Sequence, residues 1–503
     1  MISRDAKIVL GVLFLVSILN FVDRQILSIL LSDIRVDLHV SDAQLGFLWG
    51  TVFAAFYTVF GIPLGLYADL GSRKKLIAWG LTLWSFMTIL SGFANSFPML
   101  ALARMGVGIG EASASPAAYS LIADLFPKTK RATAIGIYSL GVYIGIGLST
   151  YVGGTVVDGW NHAFPAGEGP LGLAGWQAAF VVAGLPGLLL VPFVFFLREP
   201  ARLSGVARTG VSAVRRCVRE GLALLPPTSF LLLRHDVVPV GPNVFAFSAL
   251  VALTAGLTLA FGDPIQWICL AMGLYVVITL AQRLKTSEPA THALIFRTPS
   301  LMWATLGFSC LSITGYGMGF SVADFFIRYH GYSRAGIGAA WGFINAVCGG
   351  LGVLTGGYLA DRFRARAASG RLWVGMMNAL LPLPFLICGL LVSDPAVAIP
   401  LFAGAQFFAA MWLPAGSSTV QDLVLPHMRA RASAVFLLFI NLISLALGPY
   451  LVGRLSDHWG SLRYALMAAS AANLVAFVLF IVAARSVARD EETREERAAA
   501  ARA

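Results

Sequence analysis

A succession of long apolar stretches dominates this sequence and limits what it can fold into. Each stretch has about 20 residues or more, the length at which an α-helix crosses the hydrocarbon core of a bilayer. Ten-residue segments of alternating polarity are absent, so the stretches are read as helices. The sequence thus predicts an all-α membrane protein with fourteen spans. They lie near residues 7–31, 43–68, 76–95, 98–125, 132–157, 175–197, 244–262, 265–282, 300–327, 336–360, 372–393, 397–423, 433–456 and 462–484.

The composition excludes most classes of soluble protein. Hydrophobic residues make up 58% of the chain and charged residues only 12%, whereas soluble domains carry about 25% charged residues. We therefore exclude a soluble enzyme, a nucleic-acid-binding protein and a disordered chain. The five cysteines are scattered without a Cys-x-x-Cys pair, so neither a disulfide framework nor a metal site is predicted.

The positions of the basic residues predict the orientation in the membrane. Arg24 and Arg104 lie inside spans, five arginines fall on one side, and the remaining lysines and arginines fall on the other side with both termini. Because positive charge concentrates in cytoplasmic loops, both termini are predicted to be cytoplasmic. We expect a monomeric multi-pass protein of a bacterial plasma (inner) membrane, with no nucleic-acid partner. The five arginines are Arg35, Arg328, Arg334, Arg454 and Arg463.

A short motif, Gly-x-x-x-Asp, ends four separate spans and divides the chain into repeats. The copies recur at similar intervals between the two halves and within each half. Repeats of this kind predict two six-helix bundles, each built from inverted three-helix repeats, an organisation typical of secondary transporters. The four copies are Gly65/Asp69, Gly154/Asp158, Gly357/Asp361 and Gly453/Asp457.

The repeats give predicted domain boundaries. Residues 1–198 form the first bundle, 299–486 the second, and 487–503 a charged cytoplasmic tail. The linker, 199–298, combines a basic segment with two additional spans. In its basic part an apolar stripe at helical spacing runs beside arginines, which predicts an interfacial helix. The two additional spans are expected to pack against lipid or the outside of the bundles. The stripe consists of Val211, Val214, Val218 and Leu222.

Four charged residues lie deep within predicted spans, at positions where a charge costs about 2.5–3.5 kcal/mol on insertion scales. At a rise of about 1.5 Å per residue, Asp23, Arg24 and Arg104 reach one level of the membrane, and Glu111 lies two turns beyond Arg104 on the same face. Glu111, and Asp23 as a second candidate, are predicted to load and release protons. Arg24 and Arg104 would bind an anionic headgroup, since a guanidinium holds phosphate with two hydrogen bonds. A permanent ion-pair network between the two spans is the alternative.

The loop after the second span resembles the signature of the major facilitator superfamily. It reads Gly65-Leu-Tyr-Ala-Asp69-Leu70-Gly71-Ser72-Arg73-Lys74, with Leu70 and Ser72 in place of the usual Arg and Gly. Arg104-x-x-x-Gly108-x-Gly110 is similar to a motif of its proton-linked members. The resemblance covers the chain outside 198–299, and it implies transport by alternating access.

A finer resemblance is to the Spinster family. It rests on Asp23-Arg24-Gln25, Trp84-Ser85, Val107-Gly108-Ile109-Gly110-Glu111-Ala112 and Pro116-Ala117-Ala118-Tyr119-Ser120. The resemblance implies a lysophospholipid or sphingoid lipid phosphate as substrate.

Further residues are predicted to line the substrate cavity or to gate it. Aromatic walls with few polar groups suit a lipid that has one headgroup, and charged residues at the cytoplasmic ends of spans suit a conformational lock. The predicted cavity residues are Phe53, Tyr57, Tyr119, Tyr316, Asn345, Trp412 and Asn441. The predicted gating residues are Asp69, Arg73, Arg131, Asp361 and Arg362.

Two transporter functions follow from these observations. The first is proton-coupled secondary transport of an amphipathic lipid. The second is proton-linked or facilitated transport of another small organic anion or drug. An enzyme is not expected, because the sequence has no Gly-x-Ser-x-Gly, His-Glu-x-x-His or Gly-Lys-[Ser/Thr] motif. The expected partners are the substrate, protons and membrane lipids, and no cofactor is expected besides the proton gradient.

Overall fold

The computed structural model describes residues 3–165, 169–200, 210–235 and 238–501, and these residues form helices joined by short loops, without a strand. The first half contains α1 (Arg4–Gln25), α2 (Leu27–Leu38), α3 (Asp42–Gly46), α4 (Val52–Leu70), α5 (Arg73–Ser91), α6 (Phe97–Glu111), α7 (Ala114–Leu125), α8 (Lys128–Ala163) and α9 (Gly175–Phe196). The segment before the second half contains α10 (Gly210–Leu224), α11 (Thr228–His235), α12 (Val240–Phe261), α13 (Pro264–Ser287) and α14 (Pro289–Phe296).

The second half contains α15 (Pro299–His330), α16 (Arg334–Ile344), α17 (Gly350–Arg364), α18 (Gly370–Leu380), α19 (Pro382–Leu391), α20 (Pro395–Ala409), α21 (Trp412–Asp422), α22 (Arg429–Phe439), α23 (Ala446–Trp459), α24 (Leu462–Ala469), α25 (Ala472–Glu492) and α26 (Arg494–Ala500). Three single π-helical turns interrupt this pattern, a feature that is frequent at functional sites. They are Phe47–Thr51, Asn345–Gly349 and Ile440–Leu445.

The predicted count of fourteen spans is too high by two. Among the described residues, twelve helices are long and apolar enough to cross a membrane. The two predicted spans outside this set, 76–95 and 98–125, are helical, but their charges lower their apolarity. Helix α5, which forms most of the first, begins with Arg73-Lys74-Lys75, and the second contains Arg104 and Glu111.

The described helices group into two compact units, and each unit draws on both halves of the sequence. The first comprises residues 1–41, 56–221 and 322–346, and the second comprises residues 42–55, 222–321 and 347–503. The predicted boundaries at 198, 299 and 486 follow the sequence repeats and stay a prediction.

In the first unit, a Gly-x-x-x-Asp copy joins α8 to α16. A Cβ atom at Gly154 would collide with the backbone carbonyl of Arg334, so only glycine allows this approach. One turn later, the Asp158 carboxylate accepts a hydrogen bond of 2.7 Å from the backbone N–H of Ala335. The glycine thus admits the start of the facing helix, and the aspartate caps it.

The second unit repeats this arrangement between α23 and α3. A Cβ atom at Gly453 would collide with the carbonyl of Asp42. The Asp457 carboxylate accepts hydrogen bonds from the backbone N–H groups of Asp42 and Ala43, at 2.9 and 2.8 Å. The motif therefore works as a helix-docking device in both units.

The two inserted helices of the second unit have different surroundings. Of the residues of α12 only Asn243 and Leu250 are buried, whereas half of the most apolar stretch of α13 is buried. The Thr51 hydroxyl lies 2.7 Å from the side-chain oxygen of Gln266 on α13, and the Tyr450 hydroxyl donates to Asp263 at 2.8 Å. Thus α13 packs against the first π-helical turn and α23, while α12 covers its outer side.

Substitution of Gly154 tests the docking of α8 on α16. We expect Gly154→Ala to destabilise the protein by about 1–3 kcal/mol, because the methyl group overpacks a backbone contact. Gly159 lies on the same helix, and a Cβ atom there would meet no heavy atom within 4 Å. Gly159→Ala should therefore leave the apparent melting temperature of the detergent-solubilised protein unchanged or slightly higher. Equal melting temperatures for the two variants would contradict the tight contact.

Candidate functional site

The four charged residues inside the membrane meet where α1 ends. Helix α1 stops at Gln25 and α2 starts at Leu27, so several carbonyl groups at this break lack intrahelical partners. Side chains satisfy them. The Ser28 hydroxyl donates to the Gln25 carbonyl at 2.8 Å. The Ser149 hydroxyl donates at 3.0 Å to the Val22 carbonyl, which also accepts the backbone N–H of Ile26.

Arg104 on α6 satisfies the remaining two carbonyls. Its Nη1 donates to the carbonyl of Asp23 at 2.9 Å and its Nη2 to the carbonyl of Arg24 at 3.1 Å. The Arg104 side chain is completely buried. A cation at the carboxyl end of a helix also interacts favourably with the helix dipole. Arg104 therefore joins α6 to α1 through the backbone.

Glu111 forms an ion pair with Arg24. Both Nε and Nη2 of Arg24 donate to Oε2 of Glu111, at 3.0 and 2.9 Å. The Glu111 side chain has no solvent exposure, whereas that of Arg24 is 17% exposed. Arg24 also lies over two aromatic rings, with its Cζ 4.8 Å from the Phe21 centroid and 5.4 Å from that of Tyr57. The arginine is thus the side of the pair that a solute can reach.

Asp23 has an unusual environment for a carboxyl group. It is fully buried, and neither oxygen accepts a hydrogen bond from the described residues. Its polar neighbours are Trp84 and Ser85, whose indole N–H and hydroxyl also lack partners in hydrogen-bond geometry. An ionised carboxylate is costly under these conditions, whereas a neutral acid can be accommodated. Asp23 is therefore suited to carry a proton.

The predicted cavity residues divide between the two units. In the first unit, Tyr57 contacts Arg24, and Tyr119 packs edge-on against Tyr138 with ring centroids 5.4 Å apart. Asn345, also in this unit, donates to the carbonyl of Trp341 at 2.9 Å, so one of its amide hydrogens is used within its own helix.

The other predicted cavity residues lie in the second unit. Phe53 is buried, Tyr316 packs against Trp49 at 6.3 Å between centroids, and Trp412 packs against Phe308 at 6.2 Å. Asn441 lies in the third π-helical turn.

At the predicted cytoplasmic end of the first unit, Arg73 is the centre of a polar cluster. It is 1% exposed, forms an ion pair with Asp124, and donates from Nε to Glu199 at 3.1 Å. The backbone N–H of Arg73 and the hydroxyl of Ser72 also donate to Glu199, at 2.8 and 2.6 Å. Burial raises the pKa of Glu199, but these hydrogen bonds outweigh it and hold the pKa below its usual value. The cluster therefore persists in mild acid.

The second unit contains the counterpart of this cluster. Arg371 forms an ion pair with Asp422 and donates to the Ser418 carbonyl at 2.9 Å, just as Arg73 pairs with Asp124 and donates to the Ser120 carbonyl at 3.3 Å. The repeat Asp124-Leu125 and Asp422-Leu423 signals these two aspartates in the sequence.

The remaining predicted gating residues are placed at the edges of these clusters. Asp69 is exposed, and Arg131 donates to the Ala123 carbonyl at 2.5 Å. Asp361 is exposed and lies 3.8 Å from Arg371, and Arg362 donates to the Tyr358 hydroxyl at 3.3 Å. In this structure Arg73 pairs with Asp124 and Glu199.

A set of ion pairs that sequence reasoning missed lies at the opposite end of the first unit. Asp324 is 2% exposed and binds Ser32, Arg35 and Arg328 at 2.5, 2.9 and 2.5 Å. Arg334 holds Asp33 with two hydrogen bonds of 2.6 Å. Arg328 and Asp324 are four residues apart on α15, but the other pairs join residues 289 to 301 positions apart, so no local pattern reveals them. Among the described residues, no group of three or more His, Cys, Asp or Glu side chains could hold a metal ion.

Lysine substitutions test the different roles of the two arginines. We expect Arg104→Lys to lower stability by about 2 kcal/mol, because one ammonium group cannot replace both buried hydrogen bonds. Arg24→Lys should lower the apparent melting temperature less, because Arg24 is partly exposed and its partner can still bind an ammonium group. Equal losses would contradict a pinning role for Arg104.

Comparison with known proteins agrees with this architecture. A "MFS-type efflux pump" of Mycolicibacterium smegmatis is 29% identical over 90% of this chain and 85% of its own length. "Protein spinster homolog 1" of Xenopus tropicalis is 26% identical over 98% of this chain and 83% of its own. "Sphingosine-1-phosphate transporter SPNS2" of Danio rerio is 30% identical, but over 40% of this chain and 37% of its own.

A solved structure shares the fold. It is a bacterial homologue of the human lysosomal transporter Spinster, in an inward-facing and occupied conformation. It is 24% identical, covers 97% of this chain and 98% of its own, and has a TM-score of 0.71. The resemblance to Spinster proteins is thus confirmed, and the chain is a multi-pass membrane transporter rather than an enzyme.

The family follows from the sequence profile of the Major Facilitator Superfamily, which matches residues 13–449 and, in a second match, 305–503. This coverage includes both sequence halves and the intramembrane charges. The chain belongs to the major facilitator superfamily.

Proposed function

We propose that this chain is a proton-coupled secondary active transporter of an amphipathic lipid with an anionic headgroup, such as a lysophospholipid or a sphingoid lipid phosphate. The observation that carries the proposal is the Arg24–Glu111 ion pair, at 2.9 Å, beside the unpartnered carboxyl of Asp23. The name of the zebrafish relative, a sphingosine-1-phosphate transporter, supports this substrate class.

The Glu111 carboxylate and the substrate compete for the same arginine in this mechanism, and a proton on Glu111 favours the substrate. While Glu111 is ionised, it occupies Nε and Nη2 of Arg24. Protonation of Glu111 removes the negative charge and frees the guanidinium fork for a phosphate, which such a fork binds well. Substrate release then allows Glu111 to lose its proton and restore the pair. Asp23 supplies a second protonatable carboxyl one residue from Arg24.

The Gly-x-x-x-Asp copies support alternating access. In the described state, the copies at Asp158 and Asp457 cap facing helices. Their counterparts at Gly65 and Gly357 have room around them, since a Cβ at Gly65 would meet no heavy atom within 4 Å and one at Gly357 only Pro414, at 3.7 Å. We infer that the copies ending in Asp69 and Asp361 dock facing helices in the opposite state. Arg73, Arg131 and Arg362 then hold the cytoplasmic ends of the helices during exchange.

Other features complete the proposal. Arg24 binds the headgroup together with Tyr57, Tyr119 and Asn345 of the same unit, Arg104 holds the end of α1 in place beside it, and the proton gradient supplies the driving force. The chain acts as a monomer in the inner membrane of a bacterium, with both termini in the cytoplasm, as the distribution of basic residues suggests.

The second candidate is transport of another small organic anion or drug. The mycobacterial relative is named as an efflux pump, and the guanidinium of Arg24 can bind any compact anion. Aromatic side chains at Arg24, including Tyr57 at 5.4 Å, would suit a drug as well as a lipid. The two candidate functions differ in the substrate, but both depend on the Arg24–Glu111 ion pair.

Neutralising Glu111 tests proton coupling. We expect Glu111→Gln to abolish proton-driven uptake into proteoliposomes but to retain exchange of substrate against substrate, because the amide can neither carry a proton nor hold Arg24 as an ion pair. Glu492→Gln removes an exposed carboxylate far along the chain and should leave both activities intact. Undiminished proton-driven uptake by Glu111→Gln would remove this residue from the mechanism.

A substrate comparison tests the role of Arg24. We expect Arg24→Ala to weaken the binding of phosphate-bearing lysolipids at least tenfold, because a charge-assisted hydrogen bond is worth about 1.5–3 kcal/mol. The binding of uncharged analogues should weaken much less. The readout is the thermal shift of purified protein in mildly acidic and mildly alkaline buffer. Equal losses for both substrate types would make Arg24 a structural residue, and shifts with soluble anions only would favour the second candidate.

A further inference from the structure

Helix α10 has three distinct faces over its described side chains, residues 214–224. On one face the Sγ of Cys217 donates to the backbone carbonyl of Pro63 at 3.1 Å, and a Cβ at Gly221 would lie 3.8 Å from the Pro63 ring. This face packs on α4. The other two faces are exposed and differ in chemistry.

The second face is an apolar stripe. Val214, Val218 and Leu222 follow each other at intervals of four residues, and they are 49%, 54% and 46% exposed. Val211, the first residue of the predicted stripe, lies outside the described side chains. At 100° per residue, the stripe lies next to the face that contacts Pro63. An apolar stripe of this length on a helix beside a membrane span is unfavourable in water and favourable among acyl chains.

The third face carries arginine. Arg215, Arg216 and Arg219 are exposed and lie on the side of the stripe away from Cys217. Around the circumference of α10, the face that contacts the protein is therefore followed by the apolar stripe and then by the basic face. A helix that lies flat in a membrane surface beside its own protein presents these surfaces to a span, to lipid tails and to headgroups.

The depth at which α10 contacts α4 agrees with a position of α10 in the membrane surface. Pro63 lies seven residues before the end of α4 at Leu70, which corresponds to about 10 Å along the helix. Helix α10 thus crosses the span close to the predicted cytoplasmic boundary of the hydrocarbon core. Anionic lipid headgroups of the cytoplasmic leaflet lie next to this boundary.

We propose that α10 is an anionic-phospholipid binding element, with Val214, Val218 and Leu222 inserted among acyl chains and Arg215 and Arg216 bound to lipid phosphates. The site is separate from the Arg24–Glu111 pair, so the proposal is independent of the transported substrate. Charge complementarity selects the occupant: a basic face beside an apolar stripe matches a phospholipid, which offers phosphate and acyl chain side by side.

Amide hydrogen exchange of the full chain in lipid nanodiscs tests the proposal. We expect residues 214–222 to exchange about fivefold more slowly, or slower still, in nanodiscs that contain phosphatidylglycerol than in phosphatidylcholine alone, since each arginine near an anionic surface is worth about a fivefold change. High salt should reverse the difference. The double variant Arg215→Gln/Arg216→Gln should lose it while keeping the fold and the Cys217 contact.

A matched control removes the same charge elsewhere. Arg485 and Arg489 are exposed residues of α25, and Arg485→Gln/Arg489→Gln should leave the lipid dependence of α10 intact. Exchange that is the same in both lipids would overturn the proposal, because α10 would then be held by its protein face alone. Protection that persists in the Arg215→Gln/Arg216→Gln variant would overturn it as well, and protection by inorganic phosphate in neutral lipid would assign the face to free anions.

Discussion

The functional centre depends on how the carbonyl groups at the end of α1 are satisfied inside a membrane. In hydrocarbon no water is available, so a broken helix needs partners from neighbouring side chains. Arg104 supplies two of them by donating to the carbonyls of Asp23 and Arg24. Because Glu111 lies two turns beyond Arg104 on the same helix, this contact also brings the carboxylate against Arg24. A backbone requirement thus positions the pair that we assign to transport.

The buried charges also explain which parts of the fold can be predicted from the sequence. Most spans are visible as apolar runs, and the repeats indicate a transporter with two related halves. The segment 98–125 shows the limit, since Arg104 and Glu111 lower its apolarity, and it is absent from the twelve helices that are apolar enough to span. A helix that carries buried charges is therefore the one that an apolarity criterion recognises least well.

Ion-pair partners that lie far apart in the sequence could not be predicted, for a different reason. The rise of a helix places Arg24 and Arg104 at one depth in the membrane. It does not give the direction in which each side chain points, so the sequence alone does not show which donor meets which acceptor. Asp324 with Arg35, and Glu199 with Arg73, pair residues that share no local motif. The Gly-x-x-x-Asp repeat is an exception. In the copies that end in Asp158 and Asp457 its spacing encodes a contact, because a glycine admits a helix end and an aspartate one turn later caps it.

Arg24 and Arg104 differ in whether their hydrogen bonds leave the guanidinium group available to a ligand. Both terminal nitrogens of Arg104 are used on backbone carbonyls, which cannot change charge, and the side chain is fully buried. A ligand could not compete for them without opening the end of α1. Arg24 instead uses two nitrogens on one oxygen of Glu111, a group whose charge a proton can remove, and 17% of its side chain is exposed. In the proposed mechanism, exchange of a carboxylate for a phosphate at Arg24 therefore requires only a proton, whereas Arg104 keeps the geometry for that exchange.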